Sequence, residues 1–417
     1  MQEMKRVVVT GMGIVSPLSC NKETFWEKLL NGQSAVRDLT KLDPSNYKGT
    51  TRSAEVHLEN EYRNTEVLDY FKPYGKAVSY AAAAVDMGLK DAGLEERISH
   101  TNNYGIILGT TNGNQDIVER IVDEWNLDMK HDTLTSTAAK NLTYFRPIEL
   151  SASIAKFYNL GGTNMVIPTA CAAGNYAIGT ASSMIREGRS PIMIAGGADP
   201  FTRSCYTVFY RLGAMAKNDC RPFDQDRTGM VVGEGAAVLI LEELEHALGR
   251  GARIYGEIKG YGLACDAYDP TAPDPEGSGA TLSMNNALNA SNIAIDSITY
   301  VSAHGTGTKA NDAHEVKAMS NVFGDKIDSL YVNGIKSMLG HCMGAASAIE
   351  SISALLSIYN QQVPRNYNTD KIDESFNKTF QIQPSLEIEN KVDNVLSNSF
   401  AFGGNICSVI FSKYEKK

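Results

Sequence analysis

Val166-Ile167-Pro168-Thr169-Ala170-Cys171-Ala172-Ala173-Gly174-Asn175 decides how this chain is read. An apolar, β-branched run passes into small residues around one cysteine. The stretch continues to Arg186 as an alanine-rich helix carrying Ala172, Ala173, Ala177 and Ala181. A strand feeding directly into a helix is the unit of an α/β protein. It also places Cys171 at the positive end of a helix dipole, where a thiolate is favoured. Taken alone, Cys171 could equally be a small buried hydrophobe, as most free cysteines are.

The same rhythm extends outward from this point. Short apolar runs at 6–10, 104–109, 164–168, 192–196, 236–241, 254–262, 298–303, 330–333 and 405–411 predict strands. Helical patterns at 21–31, 74–93, 147–158, 172–187, 243–249, 279–290, 311–322 and 343–360 lie between them. Several of the strands are apolar throughout, which predicts a mainly parallel sheet covered on both faces. The rhythm restarts near Ile254, which predicts two similar halves, residues 1–252 and 253–417. Residues 269–277 hold three prolines in nine positions and predict a surface loop. The glycines of Gly11-Met12-Gly13 lack the third glycine of a dinucleotide loop and read as a packing turn.

Composition narrows the class. The 417 residues are 43% hydrophobic and 21% charged, with a net charge of −9. That balance excludes a disordered chain, and no apolar run approaches the ~18 residues that span a bilayer. The opening Met-Gln-Glu-Met-Lys-Arg runs straight into a strand instead of a secretory leader, which predicts a cytoplasmic protein. The acidic balance and the absence of a basic run argue against nucleic-acid binding. The seven cysteines are scattered with no C-x-x-C pair, so neither a disulfide framework nor a zinc ribbon is expected. No His/Asp/Glu set has metal-ligand spacing, and no metal is expected.

Three further loops could carry chemistry. His304, in Ser302-Ala303-His304-Gly305-Thr306-Gly307-Thr308, follows a predicted strand, where α/β proteins place ligands. Lys336 and His341 sit in Lys336-Ser337-Met338-Leu339-Gly340-His341, again between a strand and a helix. In Asn398-Ser399-Phe400-Ala401-Phe402-Gly403-Gly404-Asn405, the paired Gly403 and Gly404 offer backbone N–H groups for an oxyanion. One thiol, two histidines and a lysine on separate strand ends suit a covalent thioester intermediate with a developing negative charge. A cysteine protease would leave Lys336 and the second histidine unexplained. The neighbouring His314-Glu315 reads as structural.

Together these residues resemble the elongating β-ketoacyl-acyl-carrier-protein synthases of the thiolase superfamily. The resemblance rests on Thr169-Ala170-Cys171, His304-Gly305-Thr306-Gly307-Thr308, Lys336-Ser337 with Gly340-His341, and Asn398 to Gly404. It extends to Val9-Thr10-Gly11-Met12-Gly13, to Arg221-Pro222-Phe223-Asp224, and to Gly229 with Gly233-Glu234-Gly235. It implies a thiolase-like fold of two βαβαβ halves in α-β-α-β-α layers. It further implies a Cys171 nucleophile, and decarboxylation with enolate stabilisation at His304 and His341. Lys336 would orient the His304 loop together with Glu315, and Phe400 would support the site. The oxyanion would be held by the N–H groups of Cys171 and Phe402, with Phe402 also the gate. The resemblance implies no resident cofactor, because the phosphopantetheine arm arrives on the carrier protein. Partners would be acyl carrier protein, acyl and malonyl thioesters, and a second subunit in a homodimer or heterodimer.

Some positions depart from the bacterial fatty-acid pattern. Ala401 stands where glycine is usual, and Asn405-Ile406 replaces Thr-Asn. Asn311-Asp312-Ala313-His314-Glu315 is closer to polyketide ketosynthases, so fatty-acid and polyketide pathways both stay open, the latter with a chain-length-factor partner. Cys171 argues against the chain-length factor itself. A degradative thiolase and a non-catalytic subunit are the rival classes. Docking of an acidic carrier protein on a chain of net charge −9 calls for a local basic rim, with Lys72, Lys76, Arg203, Arg211 and Lys217 as candidates.

Overall fold

The computed structural model describes residues 4–94, 103–128, 142–382 and 391–416. Its strands in chain order are β1 (Val7–Val15), β2 (Arg37–Asp38), β3 (Arg52–Ala54), β4 (Gly105–Gly109), β5 (Asn164–Ile167), β6 (Ile192–Asp199) and β7 (Val232–Gly233). They continue with β8 (Gly235–Glu243), β9 (Gly256–Cys265), β10 (Tyr300–Ser302), β11 (Tyr331–Asn333), β12 (Asn394–Phe400) and β13 (Asn405–Ser412). Ten of them form one sheet in the order β11-β10-β12-β13-β9-β1-β8-β6-β4-β5, while β2, β3 and β7 make a small second sheet.

The large sheet is a doubled unit. In the first half the order β5-β4-β6-β8-β1 reads third, second, fourth, fifth and first strand along the chain, and β11-β10-β12-β13-β9 repeats that order in the second half. In each half the first three strands in this order pair in parallel and the next two join antiparallel. The halves meet edge to edge where Val7, Val8 and Val9 pair with Ile258, Glu257 and Gly256.

The expected mainly parallel sheet is therefore corrected to a mixed one. The reason is visible in β8 and β13, which are buried over nearly their whole length although they run antiparallel to their neighbours. Helices cover both faces, so an antiparallel strand here carries the continuous apolar run that elsewhere marks a parallel one.

The helices Ala173–Arg186 and Ala346–Asn360 form the central layer and touch strands of both halves. The second of these is buried at every position from Ala346 to Ile358, as a helix enclosed between two sheet faces must be. Lys76–Ala92 and Glu149–Phe157 cover the outer face of the first half, and Ser278–Ser291 with Lys309–Phe323 covers the second. The layers run α-β-α-β-α, which is the thiolase-like arrangement. Among the described residues, no helix is long and apolar enough to cross a membrane.

Two local readings change. Gly11 and Gly13 lie inside β1, and the packing turn expected there is absent. A Cβ on Gly13 would stand 1.8 Å from the Ala84 carbonyl oxygen, and one on Gly11 2.4 Å from that of Gly88, so the glycines let the helix Lys76–Ala92 lie directly on the strand. The second change is β12, which covers Asn398-Ser399-Phe400, read above as loop. Its polar side chains are satisfied inside the protein: Ser399 Oγ donates to the Cys407 carbonyl (2.9 Å) and Ser408 Oγ to Asn398 Oδ1 (2.9 Å).

Gly13→Ala is expected to lower unfolding free energy by about 3 kcal/mol or more, since the obstructing atoms are backbone. A urea midpoint within error of the parent would contradict this packing.

Candidate active site

Four strand exits converge on one cavity of about 360 Å³ whose walls include Cys171, His304, His341, Phe400 and Phe402. Cys171 lies in a 3-10 turn, Ala170–Ala172, that leads from β5 into the central helix. Ala170 takes a positive φ of 50°, which turns the chain sharply enough to bring the next side chain under the cavity. Cys171 is only 6% exposed. Burial pushes its thiol up to about 12, opposed chiefly by the Lys336 charge and reinforced by Asp199. This loss of solvation opposes the dipole stabilisation of a thiolate expected from the sequence.

His304 leaves β10 and is held from two sides. Glu315, on the following helix, accepts the backbone N–H groups of His304 and Gly305, both at 2.8 Å. Lys336 is fully buried and donates to the His304 carbonyl at 2.6 Å, with its Nζ 3.3 Å from His304 Nδ1. The ammonium is neutralised by Glu350, with which it forms a very short ion pair. Lys336 and Glu315 thus both hold the His304 loop, one at its carbonyl and the other at its N–H groups. Glu315 fixes the His304 backbone, and Glu350 is the counter-ion. Sequence reading missed Glu350, although a carboxylate in Ala346-Ser347-Ala348-Ile349-Glu350-Ser351-Ile352 on an otherwise apolar helix is itself a signal. Burial raises both carboxyls to about 7.

The second histidine stands across the cavity, with ring centroids 5.4 Å apart and planes at 82°. Met343 N–H donates to His341 Nδ1 at 3.1 Å. An ammonium can only donate, so His304 Nδ1 is likewise an acceptor. Both rings are held well below the usual histidine range, by burial first and then by Lys336. The hydrogen-bond pattern therefore assigns two neutral imidazoles that each carry their proton on Nε2. Phe400 packs against the His304 and His314 rings at 5.7 and 5.3 Å.

The Gly403 and Gly404 amides do not serve as oxyanion donors. Gly403 N–H donates to the Pro270 carbonyl (2.8 Å) and Gly404 N–H to that of Ala401 (3.1 Å). Their use is conformational, with φ of 79° and 73°. The Cys171 and Phe402 amides sit within the first residues of their 3-10 turns, where N–H groups lack a partner in the turn itself. Phe402 is 37% exposed at the cavity mouth and stacks on Phe209, with centroids 5.5 Å apart. No group of His, Cys, Asp and Glu suited to a metal occurs among the described residues.

One thiol facing two neutral imidazoles, on a doubled thiolase-like scaffold, defines an acyltransferase of the condensing class. The chain belongs to the β-ketoacyl synthase family: residues 4–247 match its N-terminal domain and residues 255–370 its C-terminal domain. A Coxiella burnetii protein named 3-oxoacyl-[acyl-carrier-protein] synthase 2 is 36% identical, with 99% of each chain covered. The Synechocystis protein of the same name is 34% identical over 99% of each chain. Among solved structures, the ishigamide ketosynthase/chain length factor matches with a TM-score of 0.90 at 35% identity, covering 99% of this chain and 100% of that one. A ketosynthase in complex with its type II polyketide acyl-carrier protein matches with a TM-score of 0.88 at 28% identity, over 99% and 100% of the two chains.

With the thiol near 12, alkylation of Cys171 by iodoacetamide should rise about tenfold per pH unit from pH 7 to 10 without levelling. A plateau below pH 8 would reveal a resident thiolate and contradict the burial argument.

Proposed function

We propose that this protein joins acyl and malonyl groups, both delivered as carrier-protein thioesters, by decarboxylative Claisen condensation. The observation that carries this reading is that His304 and His341, each with Nδ1 engaged by a donor, line a shared cavity with Cys171, which leaves their Nε2–H groups for the substrate. In the first stage Cys171 Sγ attacks the acyl thioester, the thiol proton leaves with the phosphopantetheine sulfur, and the acyl group stays on Cys171. In the second, malonyl thioester loses CO2 and the enolate oxygen accepts hydrogen bonds from both imidazoles. Because these are neutral, the enolate is stabilised without being protonated, and its carbon remains nucleophilic. That carbon attacks the Cys171 thioester. The tetrahedral oxyanion rests on the Cys171 and Phe402 N–H groups, and collapse expels the Cys171 thiolate, which takes a proton from water to restore the thiol, leaving β-ketoacyl carrier protein. No resident cofactor is needed for any step.

The acyl carrier protein docks at the cavity mouth on a basic rim. Arg211 and Lys217 are exposed, and Arg211 directly precedes Leu212 in the cavity wall, whereas the exposed Lys72 and Lys76 line a separate pocket beside Asp69, Asp116 and Asp123. Arg203 is a weaker candidate because it pairs with Asp123 at 2.9 Å. The protein works in the cytoplasm as a dimer. A polyketide ketosynthase paired with a chain-length factor is the second reading, favoured by the close match to the ishigamide ketosynthase/chain length factor. Purification with an adjacent homologue that lacks the cysteine would select it.

Incubation with acyl-carrier protein should add one acyl mass, located at Cys171 and absent from Cys171→Ala. His304→Ala and His341→Ala should still accept the acyl group, with condensation reduced about 100-fold or more. Acyl mass that survives Cys171→Ala, or histidine variants that condense but cannot be acylated, would overturn the assignment.

A further inference from the structure

Asp199 ends β6 and is completely buried, and the catalytic steps above make no use of it. Its carboxylate nonetheless gathers the loops around the site. Oδ1 accepts from Thr110 Oγ1 and from Asn112 N–H, both at 2.8 Å, while Oδ2 accepts from Thr111 N–H at 2.7 Å and Gly344 N–H at 2.6 Å. Three of these donors belong to the exit of β4. The fourth, Gly344, is the third residue after His341.

The Gly344 contact bears directly on His341. Met343 takes a positive φ of 51°, unfavourable for a side chain of that kind, and its N–H is the donor that fixes His341 Nδ1. The peptide after Met343 is pinned by Asp199 through Gly344. That approach is close enough that a Cβ on Gly344 would stand 2.6 Å from Asp199 Oδ2. The strained Met343 turn is thus clamped at its far side by a buried anion with four donors.

We propose that Asp199 is a positioning residue for His341: by holding Gly344 N–H it maintains the Met343 turn, whose N–H keeps the His341 proton on Nε2 and aimed into the cavity. The proposal rests on the decarboxylating role assigned to His341. Asp199→Asn places an amide N–H2 against one of the two donor pairs, either Thr110 Oγ1 with Asn112 N–H or Thr111 N–H with Gly344 N–H, so the clamp weakens without a change in volume.

The test compares Asp199→Asn, His341→Ala and the double variant, with CO2 release from malonyl-carrier protein and acylation of Cys171 measured separately. Asp199→Asn should lower CO2 release by about 10- to 100-fold, the loss expected of a misplaced catalytic group, while acylation persists. In the His341→Ala background the same change should cost nothing further, because the group it positions is gone. An equal loss in both backgrounds, or unchanged CO2 release in Asp199→Asn, would overturn the proposal and leave the function reading standing. Full CO2 release by His341→Ala alone would overturn both. If Asp199→Asn does not fold, Thr110→Val removes one donor to the carboxylate and should give a smaller loss with the same non-additivity. Additive loss there counts against the proposal equally.

Discussion

The buried ammonium of Lys336 is the constraint on which the site depends. A lone charge with no solvent exposure would be prohibitively unfavourable, and this one persists because every direction around it is answered. Glu350 supplies the opposite charge, the His304 carbonyl accepts at 2.6 Å, and His304 Nδ1 lies at 3.3 Å. Each answer has a structural consequence. Glu350 must come from the central helix, so that helix has to be enclosed by both halves of the sheet. The carbonyl contact fixes the His304 loop against the exit of β11. The Nδ1 contact decides which nitrogen of the ring carries the proton.

From that one decision the chemistry is set. A cation beside His304 opposes any second positive charge, and burial acts in the same direction on both rings. Two neutral N–H donors can hold an enolate without quenching it, whereas an imidazolium would deliver its proton to the carbanion. The thiol is under a parallel control. Burial and Asp199 keep Cys171 protonated at rest, and Lys336 is the main group acting the other way. The nucleophile is therefore guarded until a thioester occupies the cavity and receives its proton.

Much of this was legible in the sequence because it depends on local pattern. The exits after β5, β10 and β11 place Cys171, His304, Lys336 and His341, and each could be read from an apolar run ending in small residues. What escaped the sequence depends on partners far along the chain. Glu350 is distant from His304, and the donors to Asp199 come from 110–112 and 344. The strand β12 was hidden because its buried Ser397, Asn398 and Ser399 look like loop residues until their internal hydrogen bonds are known. The glycines of β1 misled for the opposite reason. They mark a close helix contact where a turn is the commoner meaning. The identical strand order of the two halves leaves no strong residue repeat, since many apolar sequences satisfy the same layers.

The most direct measurement is side-chain 15N NMR of His304 and His341 in the resting enzyme, assigned with the two alanine variants and followed from pH 8 to pH 6. The structure predicts neutral rings throughout, with an unprotonated Nδ1 and a protonated Nε2 in both histidines. An imidazolium in that range, or a proton on either Nδ1, would contradict the account.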